Sequence, residues 1–263
     1  MIVAVRKNRQ FIGIDSSIAA IDVTDKRLNA DGLYSRKGMH YEIEKYYYSE
    51  EELKEMDPFE FESLMIRKFG GKPNTKKTGD YGIDGFKDGI PIQVKRWKNK
   101  IGRVEIQKFS GACQSTRLYN ARIKEKLPVG YFIAFEFAKE AVGELARLER
   151  ENGVIIEKVL VSEIVPVAKR PIVSIESKQL EDGRYEFRAI SDDNIINYSW
   201  DFNYPIPPHK HPQETADFKP SVLYDKKGVR THNFATTGTH NIAVKVVDDK
   251  CLENISVHSI TIF

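Results

Sequence analysis

The stretch that most constrains this chain runs from Tyr81 to Trp97, YGIDGFKDGIPIQVKRW, where apolar and polar residues alternate on either side of Lys87-Asp88-Gly89. Alternation with a period of two gives a strand one buried and one polar face, and an Asp-Gly pair between two such runs folds the chain back on itself. The pattern predicts a two-stranded hairpin. In its second strand Gln93 and Lys95 share one face, while Ile92, Val94 and Ile90 take the other. Asp84, near the end of the preceding strand, then stands across the hairpin from that polar pair.

The surrounding pattern supplies the layers such a hairpin needs. Asp57 is a capping residue, Pro58 suits a first helical turn, and Phe61, Leu64, Met65 and Phe69 recur at helical spacing before Gly70 and Gly71 stop the run. Ser49 is a second candidate cap. Residues 104–126 read as a helix, 130–137 as a near-continuous apolar strand, 139–152 as an amphipathic helix closed by Gly153, and 154–164 as a further buried strand. The order α-β-β-α-β-α-β predicts an α/β fold with a mixed sheet flanked by helices on both faces. After Lys169 the texture shifts to short β-rich segments at 171–177, 184–190, 197–202, 239–247 and 256–263, the mark of a small all-β sandwich. Ahead of all this, Phe11–Asp15 reads as a strand and residues 16–28 as a helix. The expected domains are residues 1–48, 49–169 and 170–263.

Composition narrows the chemistry. The 263 residues are 41% hydrophobic and 30% charged, which suits a packed globular chain, and no apolar run approaches the roughly 20 residues of a membrane span. The opening MIVAVRKNRQ lacks the apolar centre of a secretory signal, so the expected location is cytoplasmic. Cys113 and Cys251 lie far apart and outside any CxxC pairing, which suggests neither a disulfide framework nor a structural zinc. A net charge of +3 argues little by itself, but residues 60–130 hold 16 Lys and Arg against 7 Asp and Glu. Cations gathered around a carboxylate and a lysine point to a phosphate-backbone track.

Hydrolysis of a phosphodiester needs charge neutralised on a pentacovalent phosphate and hydroxide made available near neutral pH, and a divalent metal held by oxygen ligands does both. Asp84 offers a hard oxygen, Gln93 an amide oxygen, and Lys95 an ammonium that can hold or deprotonate the attacking water. Lys76 and Lys77 precede this constellation, while Arg96, Lys98, Lys100 and Arg103 follow it, with Gln107 on the next helix; all are candidate DNA contacts. Asp80 and Asp88 read as turn residues and Trp97 as packed core. His209, His211, His232 and His240 read as loop or surface histidines rather than metal ligands.

The run FEFESLMIRKFGG, then TGDYGIDGFKDGIPIQVKRWK, resembles the Mrr-like branch of the PD-(D/E)XK restriction endonucleases, whose pattern is a helical FE, GD-x-GID-G and Q-x-K. The resemblance extends to about Val165. It implies that Glu62 is the helix glutamate, Asp84 the metal-binding aspartate, Gln93 the residue replacing the usual acid, and Lys95 the catalytic lysine. It implies Mg²⁺ as cofactor, with Mn²⁺ able to substitute, and double-stranded DNA as substrate. Because glutamine is neutral, Glu62 gains importance for metal loading. The opening segment resembles the tail of an amino-DNA-methyltransferase, with Asp15 where the adenosylmethionine ribose is held, but the glycine-rich loop and a DPPY motif are absent, so a fragment is expected. NYSWDF and THNIAVKVVDD resemble a PKD-type immunoglobulin-like sandwich. Together these imply an endonuclease of a restriction-modification system, homodimeric for double-strand cutting, with a DNA methyltransferase as a partner. The alternative from another class is a non-catalytic DNA-binding or scaffold module that partners such a methyltransferase.

Overall fold

The computed structural model describes residues 1–15, 18–35, 40–74, 82–96, 99–205 and 218–263. The chain divides into two compact units, one formed by Met1–Tyr47 with Lys169–Phe263 and the other by Tyr48–Ala168.

The first unit opens with α1 (Ile2–Arg6) and α2 (Ile18–Ala30). The strand expected at Phe11–Asp15 does not form: those residues have no regular structure, and Ile12 and Ile14 are 90% and 94% exposed. A five-residue apolar run becomes a strand only where a neighbouring strand takes up its backbone N–H and C=O groups, and among the described residues no strand pairs with this one.

The second unit begins with two short helices whose caps were expected. In α3 (Glu50–Glu55) the Ser49 hydroxyl accepts from the Glu52 amide at 3.0 Å, and in α4 (Pro58–Lys68) the Asp57 carboxylate accepts from Phe59 and Glu60. Then come β1 (Lys72–Pro73), β2 (Gly85–Lys87) and β3 (Ile90–Lys95). The turn between β2 and β3 is the predicted one, with Asp88 and Gly89 at φ 52° and 78°, the left-handed pair a two-residue hairpin requires. The helix expected over 104–126 is two helices, α5 (Arg103–Gln114) and α6 (Tyr119–Lys124). The hydroxyls of Ser115 and Thr116 donate to the carbonyls of Ala112 and Cys113 at 2.7 Å each, at the point where α5 gives way. β4 (Gly130–Ala134), α7 (Lys139–Asn152), β5 (Ile156–Leu160) and α8 (Val161–Ile164) complete the unit, and Gly153 closes α7 in the left-handed conformation.

These strands make one sheet in the order β1-β2-β3-β4-β5, antiparallel as far as β3 and parallel from β3 to β5. Alternation along β3 and β4 sends Ile92, Val94 and Ile133 to one face, against Phe61, Met65 and Ile66 of α4. Phe132 and Ala134 go to the other face, against Ile106, Phe109 and Cys113 of α5 and Ala141 of α7. Full burial of a side chain such as Phe132 stabilises by roughly 1.5–3 kcal/mol, and both faces are filled in this way. The expected mixed sheet with helices on both sides is the fold observed.

In the first unit the remaining strands are β6 (Ser174–Gln179), β7 (Tyr185–Ile190), β8 (Ile195–Asp201), β9 (Val222–Asp225), β10 (Val229–His232), β11 (Gly238–Asp248) and β12 (Glu253–Ile262). They form a three-stranded sheet, β10-β7-β6, and a four-stranded sheet, β12-β11-β8-β9. Ile175, Phe187, Trp200, Ile242, Val244 and Val246 share their core, as expected of a β-sandwich. Helix α2 is tied to these strands, since the Tyr224 hydroxyl on β9 donates to Asp22.

Candidate active site

The site is assembled where β2 fades and β3 continues. The Asp84 amide donates to the Ile92 carbonyl at 2.9 Å, and its own carbonyl accepts from Asn74 at 2.8 Å, so the backbone at position 84 is braced from both sides. The ladder of β2 with β3 ends at the pairing of Gly85 with Ile92, and Asp84, the next residue back, bonds to the same Ile92. Its carboxylate oxygen Oδ2 accepts from the Val94 amide at 2.7 Å, so a side chain takes the ladder position that a further β2 residue would have filled.

Gln93 and Lys95 pair in parallel with Phe132 and Ala134, which belong to the α5 side of the sheet. Gln93 is 7% exposed, and its Oε1 has no hydrogen-bond partner among the described residues. A buried amide oxygen without a donor costs on the order of 1–3 kcal/mol, and a cation or ordered water in front of it removes that cost. Gly82, at φ 81°, lies against the other end of the amide: a Cβ there would stand 2.9 Å from Gln93 Nε2. Lys95 is half-buried and has neither a hydrogen bond nor an ion pair among the described residues. An ammonium left unpaired beside a carboxylate strand is available to a water or a phosphate oxygen.

Glu62 is half-buried on α4, the helix packed on the Ile92 and Val94 face. Among the described residues no three His, Cys, Asp or Glu side chains gather as a cation site. The oxygens on offer are mixed, a carboxylate from Asp84 and, from Gln93, an amide oxygen with no donor among the described residues. Such a set fits a hard cation that keeps much of its water, as Mg²⁺ does.

Beside Gln93 opens a cleft of about 660 Å³, walled by Gly82 and, along α5, by Lys108, Gly111 and Ser115, with Phe109 and Ala112 behind them. The expected DNA contacts are placed variously. Lys76, Lys77 and Lys98 lie outside the described residues, as do Asp80, Trp97, His209 and His211. Arg96 donates to the Lys54 carbonyl and fastens α3 to the end of β3. Lys100 pairs with Glu136 at 3.2 Å. Arg103 Nε and Gln107 Nε2 both donate to Glu144, at 3.1 and 3.0 Å, and the Arg147 guanidinium does so at 3.0 and 2.6 Å.

Glu144 is a residue sequence reasoning passed over. It is 1% exposed, and the Arg147 guanidinium, with Gln107 and Arg103 adding to it, pulls its carboxyl down to about 2 against the opposing pull of burial. The signal was present: Glu144 stands between Ala141 and Leu148 on the buried stripe of α7, where a lone acid requires partners. Away from this unit, His232 stacks flat on Phe202 with ring centroids 4.2 Å apart, and burial followed by the nearby His240 lowers its pKa.

Residues 53–154 match the family model Mrr_cat, described as restriction endonuclease. Two solved structures are similar to part of the chain. The PKD1 domain of Vibrio anguillarum Epp is 15% identical over 36% of this chain and 94% of that one, with a TM-score of 0.26. The PKD1 domain of the Vibrio cholerae metalloprotease PrtV is 20% identical over 36% of this chain and 98% of that one, also with a TM-score of 0.26. No curated protein matches the chain. Among the described residues no helix is long and apolar enough to cross a membrane.

Proposed function

We propose that the unit Tyr48–Ala168, whose residues 53–154 match the restriction endonuclease model, makes this chain a metal-dependent endonuclease that hydrolyses phosphodiester bonds of double-stranded DNA. The observation that carries the reading is that Asp84, anchored on the Val94 amide, borders the strand carrying Gln93 and Lys95, whose amide oxygen and ammonium have no partner among the described residues. Asp84 and Gln93 would hold Mg²⁺ or Mn²⁺; Glu62, expected as a further ligand, is on α4, which packs against the opposite, Ile92 and Val94 face of β3. Bound there, the cation would neutralise the phosphate and lower the pKa of a water. Lys95 orients that water and stabilises charge developing on the phosphate oxygens. The Val94 amide holds Asp84 in one orientation, so the carboxylate does not have to be ordered when substrate arrives.

The finer features of this reading are a restriction-modification role, a methyltransferase partner and a homodimer that brings two sites to the two strands. The test is incubation of supercoiled plasmid with the full chain and Mg²⁺, using methylated and methyl-free DNA. Asp84→Ala and Lys95→Ala are expected to abolish nicking and linearisation while the far-ultraviolet dichroism is kept. Full cutting by either variant would refute the assignment. DNA binding by the native chain without cutting, across metals and methylation states, would establish the non-catalytic module instead.

A further inference from the structure

We infer that the cleft beside Gln93 seats the DNA strand to be cut, with its sugar–phosphate backbone lying along the exposed face of α5 formed by Lys108 and Gly111 and continued by Ser115 just past the helix end. The inference rests on the nuclease reading of the same site and says from which side the strand enters it. Three properties of the cleft carry it. Gln93 lines the cleft with a side chain 7% exposed, whose Oε1 finds no donor among the described residues. A phosphate oxygen is an acceptor and cannot satisfy another acceptor, so this atom takes the cation or water that accompanies a phosphate.

The second property is charge. Among the described residues no acidic side chain lines the cleft and Lys108, exposed on its rim, has no ion-pair partner. That combination favours an anion over a cationic or peptide ligand. The third is bareness. A Cβ built on Gly111 meets nothing within 4 Å, so packing inside the protein does not demand a glycine, and one turn of the α5 backbone is left open to close approach. The volume, about 660 Å³, lies within the range of small-molecule sites, and a nucleotide fits inside it.

The test measures binding of a short fluorescein-labelled duplex to the full chain by anisotropy, without added metal, over a series of salt concentrations. Gly111→Trp, which fills the cleft from an open position, is expected to weaken binding about tenfold or more. Gly143→Trp, at the other mid-helix glycine whose Cβ meets nothing, lies on α7 outside the cleft lining and is expected to bind as the native chain does. Lys108→Ala, a surface change that leaves packing alone, is expected to lower the slope of log K against log salt by about one phosphate contact. Native affinity in both Gly111→Trp and Lys108→Ala, or an equal loss in Gly143→Trp, overturns the inference. Were Asp84→Ala still to abolish cutting in that case, the nuclease reading would stand and only the α5 track would fall. Conversely, weakened binding in a chain that never cuts would keep the track and remove the nuclease.

Discussion

Replacing Glu144 by glutamine tests how α5 is held in place. The side chain is fully buried, yet it serves donors on two helices: Arg103 and Gln107 from α5 and Arg147 from α7. Glutamine keeps the size of the side chain and one acceptor oxygen but removes the charge, and it sets an NH₂ against donors. Breaking a fully buried ion pair costs about 3–5 kcal/mol. Here the guanidinium partners are 58% and 36% exposed, so both can turn to water, and the expected loss is discounted to roughly 2 kcal/mol. In a unit of about 120 residues that corresponds to a melting transition lower by roughly 6–10 °C. Calorimetry of the full chain reads this directly. The pH dependence supplies the sharper check. The carboxyl is held near 2 against an ordinary value of 4.5, so its contribution is complete above pH 4.5 and is lost as the pH falls toward 2. The gap between native chain and variant should therefore narrow steadily below pH 4.5. A gap that stays constant from pH 6 to pH 3, or a shift below about 1 °C at neutral pH, would refute an ionic role for this residue.

Gly130→Ala places a Cβ 2.6 Å from Cys113 Sγ and 2.8 Å from Phe109 Cε1; a urea midpoint lowered by the equivalent of about 1–3 kcal/mol is expected from such overpacking. Tyr224→Phe removes the hydroxyl that burial, and then the bond to Asp22, have raised well above the ordinary phenol range. Amide exchange in α2 should quicken about tenfold in that variant, while β11 and β12 keep their protection.

Features governed by neighbours in sequence were readable from the chain. The Asp88-Gly89 turn, the Asp57 and Ser49 caps and the Gly153 closure each depend on one or two residues with a strong backbone preference, and each forms as expected. Gln93 and Lys95 share a face because strand geometry leaves them no choice. What escaped depended on contacts at a distance. Phe11–Asp15 has the composition of a strand, but among the described residues no strand pairs with it. β9 and β10, four residues each and interrupted by Lys226 and Lys227, are too short for periodicity to register. In the site, the bond from the Val94 amide to Asp84 links residues ten apart through a side chain, which alternation does not encode. Glu144 betrayed itself as an acid on an apolar stripe, but Arg103 and Gln107, its partners on α5, lie 41 and 37 residues upstream.

The strands and helices from Tyr48 to Ala168 leave the backbone where they entered it. Tyr48 bridges Val167 in parallel, its amide donating to the Pro166 carbonyl at 3.0 Å and its carbonyl accepting from the Ala168 amide at 2.9 Å. This clasp makes the segment a guest whose two chain ends lie side by side, inserted in a host drawn from the sequence on either side of it. The host must wait: Asp22 meets Tyr224 only after some two hundred intervening residues have emerged from the ribosome. Any segment put in the guest's place would have to bring its own two ends equally close together.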